Sequence, residues 1–255
     1  MSAFSATDLA GWYDTIVDWP KRLSHETPFY RRWFAAARAQ RVLDVACGTG
    51  HHAALFHSWG LQVAGADLSD AMLELAQRRY GTAPQLTWIC RGYTDPLPAP
   101  HIFDVTLCVG NSLALAPDLA AARQAVERMV EATAPGGIVI VHVANLWRLP
   151  DGPCLWQKAV PLPPEAGIGL ILKGLHRHGA TGYVDLVVSR QEPAPGLHSE
   201  SIRWWGLEAH VLTDWLTECG AEVLGVFGGY GDEPYQAATS VDLIIVARHA
   251  TESRS

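Results

Sequence analysis

Between residues 41 and 143, short apolar, β-branched runs alternate with segments whose apolar positions recur every three or four residues. These are the periods of buried strands and of amphipathic helices. The runs place strands at 41–46, 61–67, 86–90, 103–109 and 137–143, and the helical patterns fall at 50–59, 70–80 and 119–133. Asp70 and Asp118 stand where N-caps belong, and Pro135-Gly136-Gly137 supplies a turn before the fifth strand. Such alternation predicts an α/β fold: a parallel sheet with helices on both faces.

The flanks read differently. Helical patterns at 6–17 and 28–39 precede the first strand. After Trp147 a Pro/Gly-rich loop at 150–167 leads into three strand patterns, 168–176, 183–190 and 198–208, which read as an antiparallel insertion. A helix at 212–219 and strands at 222–228 and 241–248 then resume the doubly wound pattern, so the expectation is seven strands in the main sheet and three in a canopy. The chain divides as one domain: an N-terminal helical lid (1–40), a cofactor-binding core (41–147), a loop and canopy (148–208) and a closing helix with strands (209–250).

Composition narrows the classes. At 255 residues and 49% hydrophobic, one core burying roughly 70–75% of the unfolded surface is expected. A formal charge of −7 gives no positive field for a nucleic acid. No leader-like start and no stretch of about 18 apolar residues is present, which reads as a soluble, cytoplasmic protein with no membrane partner. The five cysteines are odd in number and form no C-x-x-C pair, so neither a disulfide framework nor a metal centre is expected, and all five read as core side chains.

The candidate chemistry begins at Val42-Leu43-Asp44-Val45-Ala46-Cys47-Gly48-Thr49-Gly50, a strand running into a small-residue loop that opens a helix. Gly48 and Gly50 permit positive φ and let backbone approach a ligand. Asp67 ends the next strand, 17 residues beyond Gly50, where a carboxylate can take both hydroxyls of an adenosine ribose. Residues 48–53 also read G-x-G-x-x-A, the loop of an NAD(P)-dependent oxidoreductase. Asp44 favours the other reading, because a carboxylate there attracts the ammonium of S-adenosylmethionine (SAM) and repels a pyrophosphate. His51 and His52, adjacent at a helix start, point apart and read as surface residues.

"VLDVACGTG", "VAGADLSDAML", "FDVTLCVGNSL" and "APGGIVIV" match, in order, the first, second, fourth and fifth strand motifs of class I SAM-dependent methyltransferases, and "LTECGAEVLGVFGGYGDEPY" to "VDLIIVARH" is similar to their closing helix and antiparallel strand pair. The resemblance implies a Rossmann-like, seven-stranded, mostly parallel sheet with an antiparallel last strand. It implies Asp44, Ala46, Gly48 and Gly50 at the methionine end of SAM, Asp67 on the ribose, Leu68 and Met72 at the adenine, and the carbonyl near Val109 or Gly110 on the ammonium. Where many relatives place an adenine-binding acid, this chain has Gly92 followed by Tyr93. Tyr13, Trp19, Arg22 and Tyr30 fall where relatives fold N-terminal helices over the cofactor, with Arg22 toward the SAM carboxylate. S-adenosylhomocysteine would be the product.

For the acceptor, His142 near the end of the fifth strand is the best-placed base, with Asn111, Ser112 and Asn145 as polar groups at the mouth of the crevice. "CVGNSLALAPD" resembles glycine and sarcosine N-methyltransferases, which implies a small amine. Yet Ala144 and Leu146 stand where those enzymes carry an arginine and a tyrosine. Trp147, Trp156, Trp204 and Trp205 sit in or beside the insertion, as a substrate clasp or a homodimer contact; adjacent Trp204 and Trp205 must face opposite sides of their strand. A non-catalytic SAM-binding module and a SAM fold recruited to another reaction stay open alongside the methyltransferase and oxidoreductase readings.

Overall fold

A computed structural model describes residues 11, 14–96, 101–192 and 194–251. Its main sheet has seven strands: β1 (Arg41–Asp44), β2 (Gln62–Asp67), β3 (Leu86–Cys90), β4 (Phe103–Cys108), β5 (Thr133–Ala144), β10 (Ala221–Phe227) and β11 (Asp242–His249), in the order β10-β11-β5-β4-β1-β2-β3. Only β11 runs against the rest, pairing antiparallel with both β5 and β10. The doubly wound, Rossmann-like expectation, antiparallel strand included, holds. Chain order reverses between β1 and β4, and ligands of such sheets bind beyond the strand ends at that point.

Alternation along β5 shows why the strand reads as a continuous apolar run. Ile138 and Ile140 pack on one face with Val42, Val105 and Phe56, while Val139, Val141 and Val143 pack on the other with Met129 and Leu216. Both faces are covered, so no polar side is required. Helices α2 (His51–Ser58) and α1 (Trp19–Ala36) cover the first face. Helices α4 (Leu119–Ala132) and α5 (Ala209–Glu218) cover the second. Asp118 caps α4 as expected, accepting from Ala121 N at 2.7 Å. Helix α3 (Asp70–Tyr80) is instead capped by Ser69, one residue earlier than the sequence reading.

Three expectations change. Helix α1 starts at Trp19 rather than at residue 28, capped by the Asp18 side chain and with Pro20 in its first turn; Pro28 sits inside it. The proline reads as a start signal, but the helix is already held by its buried face of Glu26, Phe29, Tyr30 and Phe34. The Pro135-Gly136-Gly137 turn lies within β5, where the register against β4 shifts between Phe103 and Val105. The canopy has four strands rather than three: β6 (Leu155–Pro161) forms in the supposed loop and pairs with β7 (Gly169–His178), followed by β8 (Thr181–Arg190) and β9 (Gly196–Trp205). Almost all of β6 is exposed, so it lacks the apolar alternation that would reveal it. The helix expected at 6–17 falls largely outside the described residues. No helix among those described is long and apolar enough to cross a membrane.

Candidate functional site

At the end of β1 the chain turns through Cys47, whose N–H donates to Ala66 O of β2, into Gly48 (φ 55°) and Gly50 (φ 85°), the N-cap of α2. The two glycines have different work. A Cβ on Gly48 would meet nothing within 4 Å, so its backbone faces open space. A Cβ on Gly50 would stand 2.6 Å from the Trp88 ring and 2.9 Å from Ala76 Cβ. Gly50 therefore lets the loop sink against β3, and the crevice is lined by Ala46, Gly48, Met72, Val109 and Gly110 without it.

Asp67 ends β2 with Oδ2 accepting from Gly48 N at 2.8 Å and Oδ1 from Ser69 N at 2.9 Å. It thus fixes the glycine turn relative to α3 at the crevice edge. Asp44 lies beneath, 1% exposed, and neither carboxylate oxygen has a hydrogen-bond partner. Burial pushes its pKa up to about 7, the Asp67 charge adding to the rise; the nearby Ala46 N–H and Arg22 offset it in part. A buried, unpartnered carboxylate is costly and calls for a cation. The ammonium of an amino-acid-bearing cofactor is of the right charge.

The wall opposite comes from α1. Trp19 stacks on His51 at 3.9 Å, and its Nε1 donates to Asp14 Oδ1. Asp14 also accepts from Thr49, His51 and Arg79; burial would raise its pKa, but these donors together hold it low. Arg22 Nε donates to Glu26 Oε1 at 2.7 Å, and His52 Nε2 meets Glu26 Oε2 at 2.7 Å. Burial opposes the Glu26 charge, yet His52 and Arg22 bring its pKa down to about 2. Burial likewise lowers His52, so that ring is neutral and donates. Burial also disfavours the Arg22 charge, but Glu26 outweighs it and the guanidinium pKa rises. His52 is thus buried at 5% exposure and His51 partly so, which corrects the surface reading of the pair.

Beyond Arg22 and Gly110 a second cavity, about 360 Å³, opens beneath the canopy. Its apolar wall includes Leu115, Leu175, Val184, Ile202 and Trp204; its polar groups include Asn111, His142, Lys173, Tyr230 and Asp242. Of the two adjacent indoles only Trp204 lines it; Trp205 turns the other way and donates to Ala116 O. His142 Nδ1 accepts from Gly110 N at 3.1 Å and lies 3.1 Å from the Tyr230 hydroxyl. Its Nε2 is 3.1 Å from Asp242 Oδ1, close enough for an ion pair but off the line of a hydrogen bond. An outer cleft of about 520 Å³, formed by the β10–β11 loop, shares His25, Tyr230 and Asp242 with this cavity.

The remaining sequence candidates separate. Asn111 lines the cavity in left-handed backbone (φ 74°), its Oδ1 accepting from Ala144 N. Asn145 lines neither cavity: its Nδ2 donates to Ala237 O and Ser240 O, and its Oδ1 accepts from Trp147 N and Tyr235 Oη. Leu68 is exposed on the surface, and Gly92 and Tyr93 are not part of the crevice lining. Gly92 N donates to Asp95, and burial against the core pushes the Tyr93 hydroxyl to about 12. Tyr13 lies outside the described residues. All five cysteines are free, and Cys90 and Cys154 are exposed, which corrects the reading of all five as core side chains. Sequence reasoning missed Asp14, Glu26, Lys173, Tyr230 and Asp242. Only the Arg22–Glu26 spacing of one helical turn carried a local signal.

Comparisons agree with this arrangement. Residues 42–137 match a family described as methyltransferase domain. Rabbit (Oryctolagus cuniculus) glycine N-methyltransferase is 30% identical over 173 residues, 58% of this chain and 57% of that one. The dTDP-4-amino-2,3,4,6-tetradeoxy-D-glucose N,N-dimethyltransferase of Saccharopolyspora spinosa is 32% identical over 155 residues, 59% of each chain. The match thus spans under two thirds of these relatives. Among solved structures, the sugar N-methyltransferase KedS8 from Streptoalloteichus superposes with a TM-score of 0.73 over 98% of this chain and 95% of its own, at 22% identity. Sheet order, the Gly48 turn, the Asp67 carboxylate at the end of β2, the unpartnered Asp44 and these likenesses make the chain similar to class I SAM-dependent methyltransferases.

Proposed function

We propose that the protein transfers a methyl group from SAM to the amine of a small molecule held in the canopy cavity. The observation that carries this reading is that the crevice and the cavity meet at shared lining residues, Arg22 and Gly110. A cofactor bound against Asp44 and Asp67 would therefore have its reactive end toward the acceptor. SAM, when bound, supplies an electrophilic methyl on a sulfonium, and in-line transfer then needs alignment and exclusion of water.

The chain's own residues divide this work. Asp44 holds the amino-acid ammonium, Arg22 faces the carboxylate, Asp67 takes the ribose hydroxyls, and Met72 with Leu68 flanks the adenine. Trp204 and the aliphatic wall exclude water. An amine must be neutral to attack, and Asp242 is the carboxylate between the inner cavity and the outer cleft, placed to hold an ammonium and pass its proton outward. His142 is a positioning residue, because its Nδ1 lone pair is engaged by Gly110 N. Glycine is disfavoured, since Ala144 lines the cavity where an arginine would take its carboxylate. The outer cleft carries Glu233 and Asp242 and no lysine or arginine among its lining residues, which favours a free amine over a nucleotide-linked one. Five unpaired cysteines suit the reducing cytoplasm.

The test is incubation with SAM and a panel of primary amines, alcohols and nucleotide-linked amino sugars, read by product mass. Amines gaining one methyl, with kcat/KM falling about 100-fold in Asp242→Asn, is the expected outcome. Methylation confined to oxygen acceptors would overturn the amine assignment. Preference for the nucleotide-linked sugar would overturn the reading of the outer cleft.

The pH dependence of cofactor affinity follows from Asp44. Because burial raises its pKa to about 7 in the free protein, SAM binding at lower pH must displace a proton. Affinity should fall about 25-fold as pH drops from 7.5 to 5.5, and calorimetry should detect proton release. Asp44→Asn should flatten the profile. A wild-type affinity indifferent to pH would show that Asp44 does not hold the ammonium. In the free protein the same raised pKa makes stability decline as pH climbs from the ordinary carboxylate range toward 7.

A further inference from the structure

We propose that Cys154, His176 and Asp185 form a divalent metal site of zinc type on the outer face of the canopy, with solvent as the fourth ligand. Among the described residues, one ligand atom from each lies within 4.8 Å of the others. The face follows from the pleat: Leu175, Val184 and Ile202 line the inner cavity, so their neighbours His176, Asp185 and Ser201 point outward.

Tetrahedral zinc with a thiolate at about 2.3 Å and a carboxylate at about 2.0 Å separates sulfur from oxygen by about 3.5 Å. Cys154 Sγ stands 3.5 Å from Asp185 Oδ2. His176 Nδ1 is 2.6 Å from the same oxygen, a hydrogen-bond length that has to open by about 0.7 Å when a metal replaces the shared proton. The supporting contacts have the form of a metal site's outer layer. Ser201 Oγ donates to Asp185 Oδ1 at 2.8 Å, leaving Oδ2 for a metal. The His176 ring is stacked on Tyr183 at 4.7 Å and 11°, which fixes its plane. Gly174 makes the room: a Cβ there would stand 2.6 Å from Cys154 Sγ.

The donors come from β7, β8 and the residue just before β6, so spacing along the sequence could not reveal them, and the expectation of no metal centre rested on spacing. A bound ion would staple the exposed edge strand β6 to the sheet that roofs the acceptor cavity, a structural role away from the reacting atoms.

The experiment is a Co²⁺ titration of the purified, reduced and chelator-treated full chain. A near-ultraviolet thiolate-to-cobalt band saturating at one equivalent and bleached by Zn²⁺ is expected. Cys154→Ser should abolish it, and Asp185→Asn and His176→Ala should weaken binding at least about tenfold. Cys90→Ser, which removes the other exposed thiol, should retain it. Each variant should keep its SAM-induced rise in melting temperature, which shows that the chain is folded. Absence of a saturable band, or a band that survives in Cys154→Ser, would overturn the assignment.

Discussion

Glu26→Ala is expected to destabilise the fold by about 3–5 kcal/mol, the range for removing one member of a buried charge pair. Glu26 is 3% exposed and accepts from both Arg22 and His52. Its loss leaves a guanidinium and an imidazole N–H without partners between α1 and the β1–α2 turn. At this chain length the melting midpoint should fall by about 10 °C, and Arg22, released from its tether, should bind SAM less well. Glu26→Gln should be milder, since its oxygen still accepts one of the two hydrogen bonds. A loss under about 1 kcal/mol in Glu26→Ala would mean that the cluster is solvated and does not pin the lid. The same cluster sets an acid limit. Burial keeps the folded-state pKa of His52 below its ordinary value near 6.5, so its contribution is full above that pH and is lost as pH falls below it. The Glu26 contribution persists until pH falls through about 4.5 toward 2.

Asp67→Ala has the largest expected effect on the cofactor. A carboxylate holding two ribose hydroxyls makes charge-assisted hydrogen bonds worth about 2–4 kcal/mol together, so SAM affinity should weaken by about 30-fold or more. Asp67 also accepts from Gly48 and Ser69, and the alanine variant therefore frees the glycine turn as well. Asp67→Asn separates the two effects: its amide oxygen can still hold one of those backbone N–H groups, while the ribose loses a charged partner. Unchanged SAM affinity in both variants would remove Asp67 from the cofactor site.

The sheet was legible because its strands are buried on both faces, and Val42, Val105 and Ile138–Val143 announce themselves by apolarity alone. The glycine turn and the position of Asp67 were legible because small residues and an acid at the ends of successive apolar strands stand out in the sequence. What escaped was long-range. Glu26 becomes a site residue only when α1 lies over His52, and nothing local distinguishes it from a solvent-facing acid. Tyr230 enters from the β10–β11 loop and Asp242 from the first residue of β11, about a hundred residues beyond the strand they face. Strand β6 has no apolar side to betray it. Gly50 shows the converse error: its positive φ was foreseen, but its partner is Trp88 rather than a ligand.

The most direct test of the central claim is a thermal melt of the purified protein with SAM, S-adenosylhomocysteine, NAD and NADP, each at about 100 times a plausible Kd. Specific binding at that excess adds about 2.7 kcal/mol, which should raise the midpoint by about 5–10 °C. The account predicts that shift with the first two ligands alone; a shift only with the nicotinamide cofactors would contradict it and make the G-x-G-x-x-A loop a dinucleotide site.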